Sequence, residues 1–279
     1  AAAPIILNIC LIAALLGLAP VTETPAHALA WGVAIAGVAQ FLMLVIACKR
    51  VGFAIKWQMP RVDDRIKLLG KRMIPGMIGA GVYQINLLID TMLASLVSDG
   101  AVSWLYYADR VQQLPLGVIG IAIGTALLPT LSRQLQGDDA KTAMYSQNRG
   151  IEIALLLTLP AAIALGVMGL PVINVLFERG AFGAEETLMT GMALTVFAFG
   201  LPASVLVKVL APGFFAREDT KTPIRIGISC MVLNIILIVV LMPWFGHLGI
   251  AAATSVSVWV NAMSLGFILH RRGDLTFDA

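Results

Sequence analysis

The sequence predicts an all-α polytopic membrane protein of eight transmembrane helices, built as two related helical lobes with a parallel internal repeat. Three observations carry this. Of the 279 residues, 59% are hydrophobic and only 13% charged, with mean hydropathy +0.89, where soluble domains carry about 25% charged residues. The apolar residues fall into runs long enough to cross a hydrocarbon core of about 30 Å. Lys and Arg gather on alternate loops, as they do where cytoplasmic loops retain positive charge.

The first span is predicted at about Pro4 to Pro20, ended by the polar turn around Glu23 and Pro25, and the second at Ala28 to Cys48, closed by Lys49-Arg50. Residues 49–72 form a basic connector with Trp57 and Pro60. Its Asp63 to Arg72 part reads as a short amphipathic helix at the membrane surface. The third span, Met73 to Val97, contains Asp90. The fourth lies in Ala101 to Leu131: Val111 to Ser132 carries no acid, Lys or Arg, whereas Tyr106, Asp109 and Arg110 precede it in the same helix, and Gln112 and Gln113 stand at its start. A polar connector, Arg133 to Arg149, leads to span five, Ile151 to Leu170. Phe-Glu-Arg-Gly-Ala-Phe, Phe177 to Phe182, is the next loop, and span six runs from about Leu188 to Ala211. After the basic loop Phe214 to Pro223, the stretch between Arg225 and Arg271 holds no acid, Lys or Arg. It is too long for one span, and Pro243-Trp-Phe-Gly-His247 divides it into spans seven and eight.

The charge distribution supports this layout. Eight of the 19 Lys and Arg lie in residues 49–72, three in 132–149, three in 214–225 and two at 271–272; the opposite loops hold Arg179 alone, and Arg110 and Lys208 fall within spans. The basic loops are therefore expected on the cytoplasmic side of a bacterial inner membrane. Ile6-Leu-Asn8-Ile-Cys-Leu-Ile12 is echoed by Val232-Leu-Asn234-Ile-Ile-Leu-Ile238 in helices crossing the same way, which suggests the parallel repeat. The expected organisation is 1–48 as the last two helices of one lobe, 49–72 as the connector, 73–270 as a six-helix lobe, and 271–279 as the start of a cytoplasmic tail.

Arg110 is the residue around which function is read. At 1.5 Å per residue it lies roughly 14 Å from Ala101, near mid-membrane, where a guanidinium costs about 3 kcal/mol or more unless it meets water or a partner. Tyr106, Arg110, Gln113 and Gly117 share one helix face by their spacing, so that face is expected to line a hydrated cavity. Tyr106 and Gln113 would contact cargo or simply pack. Asp109, about 100° around the helix, is expected to pair with another helix or to serve the site. Asp90 marks an ion path or a buried pair. Lys208, expected within a turn of the end of span six, is read as snorkelling to the headgroups. Pro115, Gly117, Gly120, Gly124 and Pro129 permit kinking and close helix approach.

Other classes find little support. Cys10, Cys48 and Cys230 sit in apolar runs, and His27, His247 and His270 have no metal-ligand spacing. An interfacial carboxylate, His or Ser cluster of the kind a membrane glycosyltransferase or lipid phosphatase needs is absent. No enzyme, cofactor, metal centre or nucleic-acid partner is expected.

Several motifs carry a resemblance. Asp90-Thr-Met-Leu-Ala-Ser95, Trp104-Leu-Tyr-Tyr-Ala-Asp-Arg110, Gln113-Leu-Pro-Leu-Gly-Val118, Gly124-Thr-Ala-Leu-Leu-Pro129, Val207-Lys-Val-Leu-Ala-Pro-Gly-Phe214 and Lys221-Thr-Pro223 together resemble the MviN/MurJ family, lipid II flippases of the multidrug/oligosaccharidyl-lipid/polysaccharide exporter superfamily. The resemblance implies the two-lobe exporter fold, with this chain running from the fifth helix to the twelfth. It also implies transfer of the undecaprenyl-pyrophosphate-linked disaccharide pentapeptide, lipid II, to the periplasmic leaflet, with the family's cavity arginine at Arg110. An arginine fork suits a pyrophosphate. The alternative is a related cation-coupled exporter of another polyprenyl-linked glycan or of drugs. By the same resemblance, a coupling sodium ion or proton would be held at Asp90, with Asn234, Thr254 and the carbonyl of Ile250. Ile238, a turn after Asn234, is apolar where a second carboxylate would help.

Overall fold

The computed structural model describes residues 3–52, 63, 66, 73, 81, 84–137 and 139–275. The described residues are almost entirely α-helical and form two compact units, Ala1–Asp64 and Arg65–Ala279. Most of the predicted basic connector 49–72, with Trp57, Pro60 and the amphipathic segment, lies outside the described residues, as does most of the first half of span three.

The first unit is a helical hairpin of α1 (Ala3–Leu18) and α2 (Pro25–Arg50). Thr24 caps α2, its hydroxyl accepting from His27 N at 3.4 Å, and Pro25 occupies the first helical position, where its missing N–H costs nothing. Gly32 lets the helices close up: a Cβ there would lie 2.8 Å from the Cβ of Ala14. Farther along, Gln40 Nε2 donates to the Ala3 carbonyl at 2.8 Å.

In the second unit, α3 (84–95) is followed by one continuous helical rod, α4 (Ala101–Pro115), a π segment (Leu116–Ile121) and α5 (Ala122–Gln136). Then come α6 (Ala140–Phe177), α7 (Ala184–Phe215), α8 (Lys221–Phe245) and α9 (His247–Arg271). The π turn has a local cause. Pro115 cannot donate to the carbonyl one turn back, so the ladder is already interrupted where the wider turn begins. Among the described residues, six helices are long and apolar enough to cross a membrane: α2, the α4–α5 rod, and α6 to α9; α1 is shorter.

One expectation changes here. The polar stretch Arg133 to Arg149 is mostly helix among its described residues, with α5 running to Gln136 and α6 beginning at Ala140. Helices of 36 and 38 residues are about 55 Å long at 1.5 Å per residue, so each overshoots the hydrocarbon core. A helical continuation keeps every backbone group paired outside it. Asp139 caps α6 by accepting from Thr142 N at 3.0 Å, and Gln134 Nε2 donates to Ser146 Oγ at 2.9 Å across the turn.

α7 is the axis of this unit. It packs against α6, α9 and the α4–α5 rod, and its small residues let them approach. A Cβ on Gly191 would meet the Leu170 Cα at 2.9 Å, and one on Gly200 would meet Ser255 Oγ at 2.8 Å. Leu194, Phe197, Leu201, Val205 and Val209 are buried along it. Gly246, at φ 56°, ends α8 in the left-handed region that side chains avoid, so the predicted division at Pro243–His247 falls between α8 and α9.

The loop after α6 is held by Arg179, whose Nη2 donates to the Leu176 carbonyl at 2.7 Å, and by Phe177 and Phe182, whose rings pack against Tyr107, tilted at 4.8 Å and edge-to-face at 5.3 Å. The loop after α7 is tied to the end of α9. Burial pushes the Asp219 carboxyl up, but hydrogen bonds from the hydroxyl and N–H of Thr222, and the Arg272 guanidinium 2.8 Å away, outweigh it and bring it to about 2. A lowered carboxyl stabilises the fold above its ordinary range and loses that effect only as pH falls through about 2, so this tie holds throughout the physiological range.

Candidate functional site

A cavity of about 500 Å³ opens within the second unit, bounded by α3, the α4–α5 rod, α7 and α9. Its polar lining falls into three groups. Asn86, Asp90 and Thr254 form the first, Tyr106, Asp109 and Gln113 the second, and Ser204 with Lys208 the third. The π segment contributes Leu116, Gly117 and Ile121 to the wall. Gln112, mostly buried at the cavity wall, donates from Nε2 to the Phe197 carbonyl at 2.8 Å and pins the rod to α7. Helix N–H groups normally occupy such carbonyls, so a side-chain pin of this kind fixes two helices against each other without an exposed polar atom.

The predicted face Tyr106, Gln113 and Gly117 lines the cavity. Arg110 does not. It is exposed beside the cavity, its Nη1 donating to Gln113 Oε1 at 3.1 Å and its guanidinium lying 4.7 Å from the centre of the Tyr106 ring. A cation over an aromatic face is held without being neutralised, so Arg110 keeps its charge available. Asp109 faces the cavity, one of the two placements expected of it, and its carboxyl group accepts from Nε2 of Gln113 on its own helix and not from another helix. Gln113 thus links the two side chains: its amide oxygen accepts a hydrogen bond from Arg110 and its amide nitrogen donates one to Asp109. The three side chains form an ordered row at i, i+1 and i+4.

Asp90 and Asn234, 144 residues apart, are brought together. Asn234 Nδ2 donates to Asp90 Oδ1 at 3.0 Å and to Asn86 Oδ1 at 3.2 Å, while Asn86 Nδ2 donates to Asp90 Oδ2 at 3.0 Å. Ser257 Oγ reaches Asn234 Oδ1 at 3.5 Å. Thr254 Oγ1 donates to the Ile250 carbonyl at 3.0 Å, and both residues line the same cavity as Asp90. Toward Asp90 both asparagines thus present amide N–H groups, which its two carboxyl oxygens accept. Ile238 is fully buried in an apolar cluster with Ala94, Ile250 and Ala253, so it adds packing and no charge to this group.

Sequence reasoning did not single out Asn86 or Ser257. The signal for each was helical spacing: Asn86 is one turn before Asp90, and Ser257 one turn after Thr254. Lys208 was misread. α7 continues to Phe215, not Ala211, so Lys208 lies about two turns from the end of the helix rather than one, and it faces the cavity.

The family described as lipid II flippase MurJ matches residues 1–279. The chain is 45% identical over 283 residues to a probable lipid II flippase MurJ of Rhizobium tropici, covering 100% of this chain and 52% of that protein. It is 41% identical over 274 residues to the probable lipid II flippase MurJ of Haemophilus influenzae, covering 96% and 53%. A solved structure of lipid II flippase MurJ in an inward closed conformation superposes with TM-score 0.81 at 25% identity, over 98% of this chain and 56% of that one. An outward-facing multidrug transporter of the MATE family shares the fold at TM-score 0.64 and 20% identity, over 73% and 46%. The chain spans about half the length of the curated relatives it matches.

Proposed function

The chain belongs to the MurJ family of lipid II flippases, transporters and not enzymes, and from that membership we propose that it takes part in moving lipid II across the bacterial inner membrane, from the cytoplasmic to the periplasmic leaflet, by alternating access. Arg110 carries this reading. It is a permanent cation within the α4–α5 rod, held by Gln113 and Tyr106 but paired with no carboxylate in the described ion pairs. A guanidinium in that state presents a fork matched to two oxygens of a diphosphate. Asp109 and Gln113 orient it from one side, and Tyr106 offers a ring on which a sugar would pack. Eight spans, arranged as the last two helices of one lobe followed by a six-helix lobe with a parallel repeat, are the architecture that suits this task. The basic loops at 49–72, 132–149, 214–225 and 271–272 would face the cytoplasm.

The reading is tested by binding. The purified full-length protein should bind lipid II more tightly than polyprenyl lipids bearing other glycans, and more tightly than an uncharged polyprenol. Equal affinity for all of them would favour a broader glycolipid exporter, and binding of amphipathic drugs in preference to lipids would favour the drug-exporter alternative.

Coupling to a cation is the second part of the proposal, and it rests on the group around Asp90. The oxygens of Asp90, Asn234 and Thr254 and the Ile250 carbonyl would hold sodium, or Asp90 would take a proton. The absence of charge at position 238 leaves Asp90 as the group's single carboxylate. Asp90→Asn should therefore cancel the response of transport to a sodium or proton gradient, measured in vesicles, while the protein still assembles. An unaltered gradient response would make Asp90 a structural acid.

A further inference from the structure

The cavity wall carries a lysine that pairs with no acid in the described ion pairs. Lys208 lies on the cavity wall, exposed, and among the described residues its ammonium has no hydrogen bond or ion pair. Its backbone is held closely. Gly124 of the α4–α5 rod approaches so near that an added Cβ would lie 2.7 Å from the Lys208 carbonyl oxygen, and a Cβ on Gly120 would lie 3.6 Å from Lys208 Cβ. Pro212, four residues on, supplies no N–H to that carbonyl, which leaves it free to face the glycine. The lysine is thus set at a fixed depth. Gly120 and Gly124 are 10 and 14 residues beyond Arg110 on a continuous helical rod, so Lys208 sits about 15–20 Å from the Arg110 level along the axis, toward the Phe215 end of α7.

We propose that Lys208 is a first anion station on the transport path, holding the diphosphate of the polyprenyl lipid as it loads from the cytoplasmic end, before the diphosphate passes to Arg110. This deepens the flippase reading and rests on it. The two cations differ in the way such a sequence needs. An ammonium is a compact, strongly hydrated point charge that grips an oxygen without fixed geometry and lets go readily; a guanidinium forks onto two oxygens and holds them in register. Loading calls for the former and retention at mid-membrane for the latter. A cation in place at the cytoplasmic end also raises the local concentration of an anionic headgroup.

The test uses the full-length protein with Cys10, Cys48 and Cys230 replaced by alanine and Lys208→Cys introduced, reconstituted in vesicles with lipid II. Lys208→Cys should raise the apparent KM for lipid II about tenfold, as loss of one charge-assisted contact does, with kcat within about twofold. Modification with a water-soluble aminoethyl methanethiosulfonate restores a cation and should bring KM back toward the parent value. The sulfonatoethyl reagent installs an anion and should raise KM further. Rescue by the aminoethyl group also shows that the variant is folded. Labelling by both reagents with the same KM would overturn the proposal, as would a cysteine that neither reagent reaches, since Lys208 would then face lipid. Failure of the parent protein to bind lipid II over an uncharged polyprenol would overturn the cargo reading itself, and this inference with it, whatever the cysteine chemistry shows.

Discussion

Arg110→Ala in the full-length protein is expected to abolish growth of a flippase-depleted strain and to lower lipid II transport in vesicles by at least about 100-fold. Two charge-assisted hydrogen bonds from one guanidinium fork to a diphosphate are worth about 3 kcal/mol, which is about two decades in rate if they are made while the headgroup crosses. Stability should hardly change. The guanidinium is exposed, and its intramolecular contacts are one hydrogen bond to Gln113 and the ring of Tyr106. Contacts of that kind contribute about 1 kcal/mol or less. Membrane insertion and thermal unfolding in detergent should therefore match the parent. Arg110→Lys separates charge from geometry: it keeps the cation and loses the fork, so transport should be weakened and not abolished. Normal growth of Arg110→Ala would remove this residue from the mechanism and leave family membership without a located cargo site.

A second large effect is expected at Gly124, and this one is steric. Its Cα faces the Lys208 carbonyl so closely that any side chain must displace backbone, which cannot swing away as a flexible side chain can. Gly124→Ala should cost about 1–3 kcal/mol, and Gly124→Leu the top of that range or beyond, through overpacking between the rod and α7. A Gly227→Ala control on α8, where nothing lies within 4 Å of the added Cβ, should be neutral or slightly stabilising, because alanine is the better helix former. The difference is read as the midpoint of thermal unfolding in detergent. Equal midpoints for Gly124→Leu and the control would mean that the helices part easily here, and that Lys208 is not held at one depth.

The apolar runs marked the long helices well, because a backbone with no water to bond to must be helical across a membrane, and the length of the run sets the length of the span. Hydropathy says nothing about where a helix stops once it has left the hydrocarbon. That is why residues 133–149 read as a connector and are mostly helix, and why α7 extends to Phe215. Nor does hydropathy say that Lys208 faces the cavity, because that depends on which helices pack beside α7.

Composition, run length and the placement of Lys and Arg were enough to specify a multi-pass helical membrane protein, and helical spacing was enough to put Tyr106, Gln113 and Gly117 on one face. Which neighbour each face meets was decided only by the tertiary structure. Helical periodicity is a property of one segment, whereas the meeting of Asp90 with Asn234 across 144 residues, the turning of Asp109 rather than Arg110 into the cavity, and the seating of Lys208 against Gly124 depend on how close two helices can come. That distance is set by the volumes of side chains on both of them at once.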